Sequence, residues 1–133
     1  MAKAKDDLKR ALVDSDLAAK CRWYLGNVAL KQGRSQEALE AFKQAIKLDP
    51  GFSQAYLDGG RLLLEDMGQP EEAAAMLRQA VRLNPRNGLA RYYLALAYAL
   101  SWNRAGAWQQ YFVLQNENPD LAARLAVTFE RFH

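Results

Sequence analysis

The chain has one cysteine and one histidine in 133 residues. Cys21 alone closes no internal disulfide, and His133 is the last residue. A structural zinc site, a Cys–His nucleophile pair and a Ser–His–Asp triad each need more of these side chains than the sequence holds. Paired carboxylates do not fill the gap, because Asp6-Asp7 and Glu71-Glu72 are adjacent on helices and point apart. No catalytic group, metal ligand or cofactor site is therefore expected, and the chain does not read as an enzyme. Also missing is any apolar run near the roughly 20 residues that span a bilayer. Met1-Ala2-Lys3-Ala4-Lys5 leads into Asp6-Asp7 rather than an apolar stretch, so no signal peptide is expected. The 18 basic and 15 acidic residues are interspersed, with a net charge of only +3. Without a block of like charge or a clustered basic face, nucleic acid is not expected as the main partner.

What remains is a chain that is 50% hydrophobic and 25% charged, of a size suited to one domain with a single core. Its strongest feature is self-similarity. Lys47-Leu48-Asp49-Pro50, Arg82-Leu83-Asn84-Pro85 and Asn116-Glu117-Asn118-Pro119 recur at spacings of 35 and 34 residues. Ahead of each proline, at constant distances, stand Ala38, Phe42 and Ala45, then Ala73, Leu77 and Ala80, then Ala107, Tyr111 and Leu114. A period in this range marks a solenoid of stacked units.

Within a unit the spacing is helical. Leu25, Gly26 and Ala29 share one stripe of a helix, and Ala38, Phe42 and Ala45 share another. Lys31-Gln32-Gly33-Arg34-Ser35 between them reads as a turn, with Gly33 free to take φ > 0 and Ser35 as an N-cap. Each unit is thus a pair of antiparallel helices of about 14 residues, closed by a proline that forces the residue before it out of the helical region. Pro70, followed by Glu71 and Glu72, instead suits a first helical turn, its acids set against the helix dipole. Alanine or glycine at the helix crossings lets the backbones approach, while Phe42, Leu77 or Tyr111 fills the adjacent hollow.

The run Trp23-Tyr24-Leu25-Gly26-Asn27 … Lys31-Gln32-Gly33 … Glu37-Ala38 … Phe42 … Ala45 … Asp49-Pro50 closely resembles the tetratricopeptide repeat. The resemblance covers three units, roughly residues 19 to 119. It departs from the family pattern in places. Arg22, Tyr56 and Arg91 stand where the family has its opening tryptophan, Gly59 where it has leucine, and Trp102 where it has a turn glycine. One extra residue also lengthens the Glu65-Asp66-Met67-Gly68 turn. The resemblance implies an all-α, right-handed superhelix of helical hairpins forming one domain over residues 1–133. Counting back from the first unit gives an N-terminal helix or half-repeat at 1–16, with Ala4, Leu8 and Ala11 on core positions. Repeats are expected at 19–52, 53–87 and 88–119. A capping helix is expected at 120–133, with Asn118 as N-cap and Leu121, Leu125, Phe129 and Phe132 as its stripe.

In such hairpins the first helices line the concave side. Their core stripes take up Leu25, Gly26 and Ala29, then Tyr56, Gly60 and Leu63, then Leu94, Ala95 and Tyr98. Left for a ligand are Trp23, Tyr24, Asn27 and Leu30, then Leu57, Asp58, Arg61 and Leu64, then Tyr92, Tyr93, Leu96 and Leu100. Aromatic rings with polar tips favour interfaces, so Trp23, Tyr24, Asn27, Leu57, Asp58, Arg61, Tyr92, Tyr93 and Leu96 are the candidate partner-binding residues. Against this, inner-face side chains also pack on neighbouring helices, and Asp58 and Arg61 are spaced to pair with each other. Gly59 is expected to make room for a large neighbour such as Trp23, or for a ligand. Cys21 is expected to be buried or half-buried.

Some family members clamp the terminal carboxylate of heat-shock chaperones with lysine, asparagine and arginine. Of those positions only Asn27 agrees; Trp23, Asp58, Leu89 and Tyr93 hold the others, and Asp58 would repel a carboxylate. The function expected is non-catalytic: a scaffold or adaptor holding a segment of another protein in an aromatic-lined groove. The alternatives are a small chaperone of a secreted or translocator protein, and a self-assembling homo-oligomeric module. A cytoplasmic location and a bacterial source are expected from the missing leader and the Ala/Arg-rich composition.

Overall fold

The computed structural model describes the backbone of residues 2–131 and the side chains of residues 14–131. Among these, seven helices follow one another: α1 (Ala2–Lys31), α2 (Ser35–Leu48), α3 (Ser53–Glu65), α4 (Pro70–Leu83), α5 (Gly88–Leu100), α6 (Arg104–Glu117) and α7 (Pro119–Glu130). Ala4, Leu8 and Ala11, together with Phe132 and His133, lie outside the residues whose side chains are described. Helices pair in sequence as α1–α2, α3–α4 and α5–α6, and each pair meets the next through α2–α3 and α4–α5. α7 packs on both α5 and α6. The architecture is an all-α solenoid of helical hairpins.

Local chemistry explains the boundaries. Asp49, Asn84 and Asn118 all leave the helix in extended conformations, with φ between −139° and −150°, each directly before a proline. Pro70 opens α4 with Glu71 and Glu72 in its first turn, as its sequence suggests. The side-chain oxygens of Asn87, Asn103 and Asn118 accept backbone N–H groups at the starts of α5, α6 and α7. Ser35 differs from expectation: it is the first residue of α2, and Arg34 holds the cap position without a side-chain cap. The expected break near residue 16 is also absent. Residues 2–25 contain no glycine or proline and are rich in alanine, leucine, lysine and arginine, so one helix runs from the N-terminal segment through the first helix of the first unit.

Packing within the hairpins turns on the small residues. A Cβ on Gly26 would lie 2.6 Å from Phe42 Cε1, and one on Gly60 would lie 2.6 Å from Leu77 Cγ. Phe42 and Leu77 are fully buried in these hollows. Burial of each side chain is worth about 1.5–3 kcal/mol. Gly59 accommodates Met76, whose Cε would lie 2.6 Å from an added Cβ, and lies near Phe42; none of the three nearest atoms belongs to Trp23. The core falls into two clusters. The larger joins α1 to α5 around Phe42, Leu63, Leu77 and Leu94, and the smaller joins α5, α6 and α7 around Ala95, Leu114 and Leu125. Leu96 and Tyr98 pack against both.

Candidate functional site

Side chains from the first helix of each hairpin meet along one line. From α1, the indole Nε1 of Trp23 donates to Asp58 Oδ2 of α3 at 2.6 Å. The other carboxylate oxygen, Oδ1, accepts from Gln54 Nε2 at 3.1 Å. Asn27, one turn beyond Trp23, donates to the Trp23 carbonyl. Farther along α3, Arg61 binds Glu65 at 3.2 Å and lays its guanidinium over the Tyr93 ring of α5, 5.2 Å from the centroid. Tyr92 and Tyr93 meet edge-on at 5.3 Å.

The electrostatics follow from half-burial. Asp58 is pushed above the ordinary carboxylate value by burial, and the hydrogen bonds from Trp23 and Gln54 oppose that push. Burial likewise raises the Tyr93 phenol, against the pull of Arg61. Asp58 and Arg61 therefore act in separate places. The carboxylate fixes the tryptophan, and the guanidinium is held by Glu65 and Tyr93 rather than by Asp58.

The nine side chains singled out in the sequence do not form one surface. Trp23, Asn27, Asp58 and Tyr93 are half-buried and Arg61 is exposed, along the line just described. Leu57 is a correction: at 5% exposure it belongs to the core, as does Leu64, because the neighbouring helices close over this part of α3. Tyr92 and Leu96 are half-buried against the cluster that α7 completes. Tyr24 stacks beside Trp23 at 4.8 Å but is largely exposed. Leu25, expected in the core stripe, is 56% exposed, and Cys21, expected to be covered, is exposed too. Both lie on a face of α1 that no helix of the described residues covers.

A second concave feature was not foreseen. Trp102, Trp108, Phe129, Leu100 and Arg104 line a cleft of ≈ 140 Å³ where the α5–α6 turn meets α7. Trp102 is 81% exposed and has φ of 65°, the left-handed region that Gly33 and Gly68 occupy in the other two turns. Trp108 contacts Tyr111, Phe112 and Phe129, with centroids 5.3–6.1 Å apart. The signal was legible in part. A tryptophan in a glycine's place is anomalous, and Trp108 and Phe112 stand at i, i+4 beside it. Among the described residues there is no group of three or more His, Cys, Asp or Glu placed to hold a metal ion. No described helix is long and apolar enough to cross a membrane.

Comparison with known proteins agrees with this geometry. Two tetratricopeptide-repeat family models match residues 19–52 and 57–110. Protein O-mannosyl-transferase TMTC3 of Mus musculus is 35% identical over 71 residues, which are 53% of this chain but only 8% of that protein. Among solved structures, the first tetratricopeptide domain of Spaghetti (RPAP3), bound to an HSP90 peptide, superposes with a TM-score of 0.79 at 18% identity. The superposition covers 87% of this chain and 93% of that one. The Arabidopsis OM64 domain gives 0.79 at 17% identity, covering 90% of this chain and 99% of its own. With the repeated small-residue crossings, the proline-closed hairpins and these matches together, the chain belongs to the tetratricopeptide-repeat family.

Proposed function

We propose that the chain is a non-catalytic recognition module that holds a segment of another protein along α1, α3 and α5. The observation that carries this reading is the linked row Trp23–Asp58 and Arg61–Tyr93, which spans the first helices of all three hairpins. Hydrogen bonds and ring stacking lock these side chains in place, so little conformational entropy is lost when a ligand is added. Trp23 and Tyr93 offer flat apolar contact, Asn27 offers an amide, and Arg61 retains donors beyond the one spent on Glu65. Structural relatives that carry heat-shock peptides support the class of partner. The acidic peptide SRMEEVD named for one of them suits this surface poorly, because Asp58 is fixed at its centre and the clamp cations are replaced.

The test is selection from a displayed peptide library, followed by titration of the selected peptides. Trp23→Ala, Tyr92→Ala and Tyr93→Ala together should cost at least about tenfold in affinity, as loss of interface aromatics does. SRMEEVD should not compete. Full affinity in a folded triple variant would refute the site.

A second reading rests on the cleft around Trp102. It is preformed and apolar, with Arg104 at its edge, and suits one large side chain of a partner. Loss of the selected peptides on Trp102→Ala or Trp108→Ala, with the triple variant unaffected, would assign binding to this cleft instead.

A further inference from the structure

The outward face of α1 carries a pattern that shares only Tyr24 with the candidate partner-binding residues. Gly26, Gly60 and Ala95 are register-equivalent positions in α1, α3 and α5, which aligns Leu25 and Val28 with Gly59 and Leu62, and with Leu94 and Ala97. In α3 and α5 these positions are buried, Leu62 being 2% exposed; the preceding hairpins pack on these helices through α2 and α4, and Gly59 also meets Met76 of its own hairpin. On α1, Val28 is 51% exposed and Leu25 is open as well. Along the same side Leu17, Cys21 and Tyr24 are exposed too.

The spacing of this stripe identifies its occupant. Leu17, Cys21, Tyr24 and Val28 follow one another at 4, 3 and 4 residues, the seam of a two-helix coiled coil, and Asp14 and Lys31 extend it by 3 at either end. Both of these charged residues are exposed. The pattern is self-complementary in one direction only. If a second α1 runs antiparallel about an axis between Cys21 and Tyr24, Leu17 faces the partner's Val28 and Cys21 faces the partner's Tyr24. Asp14 then faces the partner's Lys31, an opposite charge at each end. A parallel pairing would set Asp14 against the same residue of its partner, and Lys31 likewise, with like charges in both layers. At the other end of the array the last hairpin is packed instead by α7, through Ala122, Leu125 and Phe129.

We propose that two copies of this chain associate through α1 as an antiparallel, two-fold pair with this register. The seam is about 26 Å long at 1.5 Å per residue, short enough that association is reversible and dependent on concentration. The experiment is sedimentation equilibrium of the full chain over a wide dilution series. Wild type should pass from the 15.0 kDa monomer to twice that mass. Val28→Lys should hold it monomeric, while Leu89→Lys, on an exposed site away from the seam, should change nothing.

Charge exchange tests the direction. Asp14→Lys or Lys31→Glu alone should weaken the dimer by about tenfold, since each puts like charges in two symmetry-related layers. The two together should restore it, with unchanged helical circular dichroism in every variant. A monomer at all concentrations overturns the proposal. A dimer that survives Val28→Lys, or one that the double exchange fails to restore, overturns it equally.

Discussion

Trp102 is the residue whose backbone and side chain disagree most with its setting. A non-glycine residue at φ of 65° carries steric strain, and its ring is mostly in water, so few contacts offset that strain. Trp102→Gly should therefore stabilise the chain by about 1 kcal/mol, read as a higher urea midpoint. Trp102→Ala, which keeps a Cβ, should not. Asp58 gives a second residue-scale prediction, with an unusual sign. Burial raises its folded-state pKa above the ordinary 3.8, so the folded chain binds this proton more tightly than the unfolded chain does. Its contribution is then greatest in acid and is lost as pH rises through the raised value. The urea midpoint of wild type relative to Asp58→Asn should fall across that interval. A difference independent of pH would show that the carboxylate does not feel its burial.

At the scale of the helix, most boundaries were legible because they are set by local sterics. The prolines after Asp49 and Asn84, Pro70 in its first turn and the Asn118 cap need no knowledge of what packs where. Side-chain exposure was less legible because it depends on neighbours. Leu25 occupies the family's core position, yet the first hairpin has no preceding helix among the described residues to cover it. Leu57 looked available on its own helix, but the closeness of adjoining helices removes it from the surface. Of the candidate site, the side chains of the α1–α3–α5 row were singled out but their contacts across helices were not, and the Trp102 cleft was not foreseen, since it forms only where a turn, a second helix and α7 converge. Asn118 offers a test at this scale. Its side-chain oxygen accepts from Leu121 N at 3.3 Å. Asn118→Ala should cost about 1 kcal/mol, and faster amide exchange should appear first in α7.

Over the whole molecule, each hairpin touches only its neighbours, so stability is distributed along the array rather than shared evenly. The middle pair, α3–α4, is packed from both sides, by α2 and by α5. Its amides should exchange most slowly, with protection falling toward α1 on one side and α7 on the other. Ending the chain before Pro119 should strip the cover from Leu114 and accelerate exchange in α6, while α3 and α4 keep most of their protection. Uniform exchange across all three hairpins would show instead a single cooperative unit.

The interior is not continuous, however: among the described residues, Leu96 and Tyr98 are the side chains packed against both of its halves. Pulled from its ends, a chain built this way should part along α5, where one cluster gives way to the other. An optical trap should record two force steps rather than one, the block around Phe42 and Leu77 holding longest.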